Sequence, residues 1–253
     1  MKTVFITGAA AGIGLTTARR FAEEGYFVGL YDINQQGIEA LLISGEFAHA
    51  CGGFCDVSQG DSIAAALADF ASETGGRLDV LVNNAGVLSS GDFADVDPVK
   101  HDLMIDINVK GFTHLAQLAH PYLKQTENAV MVNLCSASSI HGVPLLAVYS
   151  ATKFYVNGLT EALSLEWQAD DIRVVSVKPP FVKTAMVDGM PEQLMKFLTV
   201  DLVPEDVANA IWKASQTNGS SQVLGVKAKL WQQLDKHLPD RVRHKLMSKL
   251  TGY

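Results

Sequence analysis

The first thirty-two residues constrain the fold more than any other stretch. Val4-Phe5-Ile6 is a short, β-prone apolar run. Thr7-Gly8-Ala9-Ala10-Ala11-Gly12-Ile13-Gly14 follows, and then Leu15, Ala18, Phe21 and Ala22 recur at helical spacing as far as a stop at Gly25. A second apolar run, Tyr26 to Tyr31, ends in Asp32. Strand, glycine turn, helix, strand is a βαβ unit with a right-handed crossover, which commits the chain to parallel pairing.

The glycines have a physical purpose. A turn that opens a helix presents unpaired N–H groups and the positive end of the helix dipole, and small residues let a pyrophosphate approach the backbone. Gly8, Gly12, Ile13 and Gly14 are therefore expected to hold a dinucleotide; a tight βα turn without a ligand is the plainer alternative. Asp32, at the end of the second strand, can accept hydrogen bonds from a ribose diol and would repel a 2′-phosphate. No basic residue stands at Ala9, Ala10, Ala11 or Ile33 to cradle that phosphate. The reading is NAD(H) over NADP(H), although Asp32 could also cap the next helix.

The rest of the chain continues the alternation. Residues 34–46 and Ser58 to Ala71 read as helices, the second capped by Ser58 or Asp61, and 47–55 reads as a strand ending near Asp56-Val57. Leu78 to Val82 is a strand that runs into Asn83-Asn84-Ala85-Gly86, polar and small backbone at the strand end where open α/β sheets bind ligands. These amides could equally brace neighbouring strands. Asp97-Pro98 is a helix start, N-cap then proline at N1. The long helix it opens carries an ill-placed Asn108, where a kink is expected. Residues 129–135 and 172–177 are further strands, and the whole predicts one α/β domain, a doubly wound parallel sheet with helices on both faces.

Composition narrows the function. A net charge of −7 argues against general nucleic-acid binding. Cys51, Cys55 and Cys135 make neither a disulfide framework nor a metal-ligand pattern, so ordinary thiols in a reducing compartment and no bound metal are expected. Without a leader-like or membrane-spanning stretch, the expected location is the cytoplasm.

Tyr149 and Lys153, four apart on a helix, share one face. A free phenol titrates near ~10, and a neighbouring ammonium favours its phenolate, so the pair is expected to form an acid/base group. A half-buried tyrosine beside a solvated lysine is the plain alternative.

In this order and spacing, Thr7 to Gly14, Asp32, Asp56, Asn83 to Gly86, Asn108, Ser136, Tyr149, Lys153 and Pro179 to Thr184 resemble the short-chain dehydrogenase/reductase family, with a Rossmann-type fold, over roughly residues 3–215. The resemblance selects Ser136, thirteen residues before Tyr149, rather than Ser138 or Ser139. It implies that Tyr149 moves the alcohol proton, that Lys153 lowers the tyrosine's pKa and holds the nicotinamide ribose, and that Ser136 hydrogen-bonds the substrate oxygen. It further implies that Asn108 holds a water linking Lys153 to solvent. Asp56 and Val57 would frame the adenine and Asn83 the adenosine side. Ala85 and Gly86 would line the cofactor, with Pro179, Val182 and Thr184 at the carboxamide. An NAD-dependent interconversion of a secondary alcohol and a ketone follows, with at least a homodimer through the helices at 98–120 and 148–167.

Two features depart from that family. Pro180 stands where glycine is usual, which stiffens or shifts the nicotinamide loop. The usual C-terminal strand is not evident, although Ser220 to Val226 could form a short one. The domain is expected to cover 1–226, with a substrate loop at about 180–200 and a basic helical tail at 227–253. Seven Lys/Arg against Asp235 and Asp240 give residues 227–249 a charge of +5 and leave −12 elsewhere. Packing of the tail on the body or a second subunit is preferred to a membrane-surface contact. The pocket walls, Val87 to Ser90, Ile140 to Leu146 and Phe181 to about Leu198, are mostly apolar, so an apolar or alicyclic substrate is expected. His141 is read as a loop residue rather than a substrate contact. Competing readings are a non-catalytic NAD(H)-binding sensor or scaffold, and epimerisation or dehydration on the same fold.

Overall fold

A computed structural model describes residues 1–188, 190–197, 200–219 and 221–252. Seven strands are described: β1 (Thr3–Thr7), β2 (Phe27–Asp32), β3 (Ala50–Phe54), β4 (Val80–Asn83), β5 (Val130–Leu134), β6 (Arg173–Lys178) and β7 (Gln222–Val223). They form one sheet in the order β3-β2-β1-β4-β5-β6-β7, and every pairing is parallel. The order reverses between β1 and β4, which opens a crevice at their C-terminal ends.

The helices follow from the connections that parallel strands need. α1 (Gly12–Glu23), α2 (Gln35–Ile43) and α3 (Gly60–Thr74) link the first four strands. α4 (Pro98–Ile105) and α5 (Phe112–Lys124) lead to β5, α6 (Ala147–Glu166) to β6, and α7 (Glu192–Phe197) and α8 (Pro204–Gln216) to β7. Strand residues alternate between two cores. Val4, Ile6, Val28 and Leu30 face the α1 and α8 side, with Ala18 and Ile211 in the same cluster. Phe5, Tyr31, Leu81 and Met131 face the other, with Ile63 and Leu115. Covering both faces is why the strands read as unbroken apolar runs.

The structure alters several expectations. Neither Ser58 nor Asp61 caps α3: its N-cap is Gln59, and the Ser58 hydroxyl donates to Asp56 Oδ1 at 2.7 Å. Asp32 is not the cap of α2; that is Asn34, which accepts from the Gly37 N–H. The irregularity at Asn108 is a π-helical segment, Asp106–Gly111, joining α4 to α5. The C-terminal strand is present as β7, two residues on the sheet edge; Ser220 and Leu198, named as limits above, lie outside the described residues.

The tail forms two helices, α9 (Val226–His237) and α10 (Asp240–Thr251), broken at Leu238-Pro239. It packs on the body. His141 Nδ1 lies 3.1 Å from Asp235 Oδ1, and Arg243 closes on the other oxygen at 3.0 Å. Trp231 meets the His141 ring edge-on, α10 lies against α7, and Met247 and Thr251 are buried. His141 is thus an anchor for the tail.

Candidate active site

The crevice holds a cavity of about 300 Å³. Gly8, Gly12, Ile13 and Gly14 line it from the β1–α1 turn, Asp32 from the end of β2, and Ala85 and Gly86 from beyond β4. Ser136 enters from the end of β5, Tyr149 and Lys153 from α6, and Pro179, Val182 and Thr184 from beyond β6. Segments far apart in sequence meet because parallel strands bring their C-terminal ends to one edge.

The glycine turn is packed too tightly for side chains. A Cβ on Gly14 would stand 1.9 Å from the Gly8 carbonyl oxygen, and Gly8 itself holds φ +68. The Asn84 amide donates to the Thr7 carbonyl at 2.7 Å, and the Thr7 hydroxyl accepts from the Asn84 and Ala85 N–H groups at 3.2 and 3.1 Å. This clasp joins β1 to β4 at the crevice. Asp32 Oδ2 accepts from the Ala10 N–H at 3.0 Å and Oδ1 from the Asn34 N–H at 2.9 Å. Each oxygen accepts a single hydrogen bond there and retains a lone pair for a ribose hydroxyl. No side chain caps the start of α1, so its first N–H groups are free to meet an anion. The geometry fits a dinucleotide.

Ser136 is both a turn cap and a cavity residue. Its hydroxyl accepts from the Ser138 N–H at 3.1 Å. Ser138 and Ser139 are buried outside the lining, and of the three hydroxyls Ser136 alone belongs to a residue of the cavity lining.

Tyr149 and Lys153 face the cavity together, but the ammonium sits 5.7 Å from the phenol ring centroid and donates to the Leu134 carbonyl at 3.1 Å. Burial pushes the Tyr149 phenol above its ordinary value, while the Ser136 hydroxyl pulls the other way. In the protein alone desolvation sets the direction of the Tyr149 shift, opposed by the Ser136 hydroxyl, while the lowering expected from Lys153 is not expressed. Burial also pushes Lys153 down to about 8.

Four expected residues lie off the cavity lining. Asn83 is buried and donates to the Phe112 carbonyl at 3.2 Å, which makes its side chain a brace. Asn84, one residue beyond the strand, is the amide that lines the cavity. Pairing of β4 with β5 ends at Asn83, and Asn84 lies past the strand's C-terminal end. Asp56 holds the turn after β3 through the Ser58 N–H and hydroxyl, and Val57 packs toward Gly111. The Asn108 amide is spent on Val87, accepting its N–H at 2.9 Å and donating to its carbonyl at 2.8 Å. Asn108 still neighbours Lys153: a Cβ on Gly86 would lie 3.2 Å from Asn108 Oδ1 and 3.8 Å from Lys153 Nζ.

A model of the family described as short chain dehydrogenase matches residues 2–195. The chain belongs to that family. Among its relatives, a 3α-hydroxysteroid dehydrogenase of Mediterraneibacter gnavus is 33% identical over 226 residues, covering 83% of this chain and 87% of the relative. A 3-oxoacyl-[acyl-carrier-protein] reductase of Thermotoga maritima is 31% identical over 239 residues, 89% of this chain and 96% of that one. Of solved structures, a short-chain dehydrogenase/reductase from Burkholderia phymatum in complex with NAD superposes with a TM-score of 0.82 at 26% identity, covering 92% of each chain. The short-chain dehydrogenase match spans every cavity residue named above, from Gly8 to Thr184.

Proposed function

We propose that this dehydrogenase uses NAD to interconvert a secondary alcohol and its ketone, with Tyr149 carrying the proton. The observation behind the reading is the convergence of Ser136, Tyr149 and Lys153 with the glycine turn and Asp32 on one cavity. Bound NAD supplies the hydride carrier and, when oxidised, a positive ring charge. Asp32 takes the ribose diol and discriminates against a 2′-phosphate, while the N–H groups around Gly12 to Gly14 take the pyrophosphate. Asp56 and Val57 border the adenine end; Pro179, Val182 and Thr184 border the nicotinamide end.

The residues divide the proton chemistry between them. Ser136 donates to the substrate oxygen, where negative charge develops. Tyr149, held protonated by burial, donates in the reductive direction. In the oxidative direction it accepts the alcohol proton, which requires the cationic surroundings that Lys153 and the loaded cavity provide. Lys153, pushed down to about 8, is suited to pass that proton on, with Asn108 serving the relay through its main-chain carbonyl.

The substrate side supports an apolar or alicyclic molecule. Met104, Val143, Leu146, Phe181 and Leu194 form one apolar cluster with Tyr149. The relative that is a hydroxysteroid dehydrogenase points the same way. Residues 1–226 carry this activity, with 227–253 an added tail.

The test is a screen of alicyclic and acyclic secondary alcohols with NAD and with NADP, following absorbance of the reduced cofactor. Tyr149→Phe should lower turnover by roughly 10²- to 10⁴-fold while NADH binding, read by fluorescence, is retained. Unchanged turnover rejects the mechanism. NADH binding without turnover of any alcohol or ketone favours a redox sensor instead.

A further inference from the structure

The α9–α10 hairpin packs on the body through the buried Met247 and Thr251 of α10, α9 buries no residue, and both helices carry an apolar stripe. On α9 the stripe is Val226, Leu230 and Leu234, at i, i+4 and i+8; on α10 it is Val242, Leu246 and Leu250, at the same spacing. Val226 is 84% exposed, Leu230 60%, Leu250 48% and Val242 47%. Lys229 and Lys236 run beside the stripe on α9, and Lys245 and Lys249 beside it on α10, all exposed. Arg243, by contrast, is turned inward to Asp235. Exposed leucines bordered by lysines, on helices too short and polar to cross a bilayer, have the pattern of helices that lie in a lipid interface.

We propose that this hairpin docks the enzyme on an anionic membrane surface. Charge complementarity selects the occupant. The tail carries +5 and the remainder −12, and the exposed Lys229, Lys236, Lys245 and Lys249 border the stripe. A second copy stacked through a twofold axis would press +5 against +5. An anionic bilayer meets both the leucines and the lysines without that repulsion. Because α10 packs on α7 in the substrate loop, docking also brings the apolar cavity wall toward the lipid; that consequence rests on the substrate reading above, whereas docking does not.

The test is flotation of the full chain with vesicles of phosphatidylcholine alone, or of phosphatidylcholine and phosphatidylglycerol in equal parts. Binding is expected on the anionic vesicles and is expected to weaken as salt is raised. Lys229→Glu with Lys245→Glu should reduce it by on the order of tenfold or more. Leu230→Ser with Leu250→Ser should abolish it, with thermal midpoint and vesicle-free turnover unchanged, since these side chains are exposed and remote from the cavity. Equal binding to both vesicle types, or none to either, overturns the proposal. So does a wild-type dimer in sedimentation that the leucine variant loses, which would assign the face to a second copy. Flotation needs no substrate, so its failure is distinct from failure of the catalytic reading.

Discussion

Replacing Lys153 by methionine should stabilise this protein while disabling it. The side chain is 4% exposed, and its ammonium has the Leu134 carbonyl as hydrogen-bond acceptor. Burial lowers its pKa from the ordinary 10.5 to about 8. At about 1.4 kcal/mol per pH unit, that gap means the protonated lysine disfavours the folded state by about 3 kcal/mol. The folded pKa lies below the unfolded one. The penalty is therefore full below pH 8, where both states hold the proton, and is relieved as pH rises from 8 to 10.5, where the unfolded chain binds the extra proton. Methionine removes the charge and keeps most of the stem, at a cost of about 1 kcal/mol for the acceptor left behind. The variant should be more stable by about 2 kcal/mol at pH 7, a rise of roughly 4–8 °C in Tm. Urea unfolding of both proteins without ligand, at pH 7 and pH 10, checks the size and the pH dependence. The half-buried Cys51 thiol, pushed up to about 11, and the buried Cys55, to about 12, titrate in both proteins and cancel in the difference. A variant less stable at pH 7, or an advantage that does not shrink at pH 10, would refute the argument that desolvation dominates at Lys153.

Gly14→Ala should open the glycine turn, because its Cβ would meet the Gly8 carbonyl at 1.9 Å and the Asn84 amide at 2.8 Å. Titration calorimetry should show NADH affinity reduced by on the order of tenfold or more, since contacts that close require backbone movement. Asp32→Ala removes the acceptor of the Ala10 and Asn34 N–H groups and the charge that repels a 2′-phosphate. The kcat/KM with NAD should fall by on the order of 10- to 100-fold. With NADP it should hold or rise; an unchanged NAD preference would count against the ribose assignment.

What the sequence determined by itself was local. The βαβ unit, the glycine spacing and the shared face of Tyr149 and Lys153 depend on periodicity within a few turns of chain, and these are fixed by backbone geometry. The N-cap at Asp97 with proline at N1 is of the same kind, and the structure has the Asp97 carboxylate accepting from the Val99 N–H. Ser136 was selected by the family resemblance, through its place thirteen residues before Tyr149, since three hydroxyls stood within four residues. Only the tertiary structure decided matters that depend on neighbours remote in sequence. It separated Asn84, which clasps the glycine turn, from Asn83, which braces Phe112; a one-residue step past a strand end reverses what a side chain meets. It turned His141 from an unassigned loop residue into the anchor of a tail ninety-four positions away. It also brought in desolvation at Tyr149, which raises the phenol in the protein alone, because burial is a property of everything packed around a group and the sequence had offered only the cation four residues along.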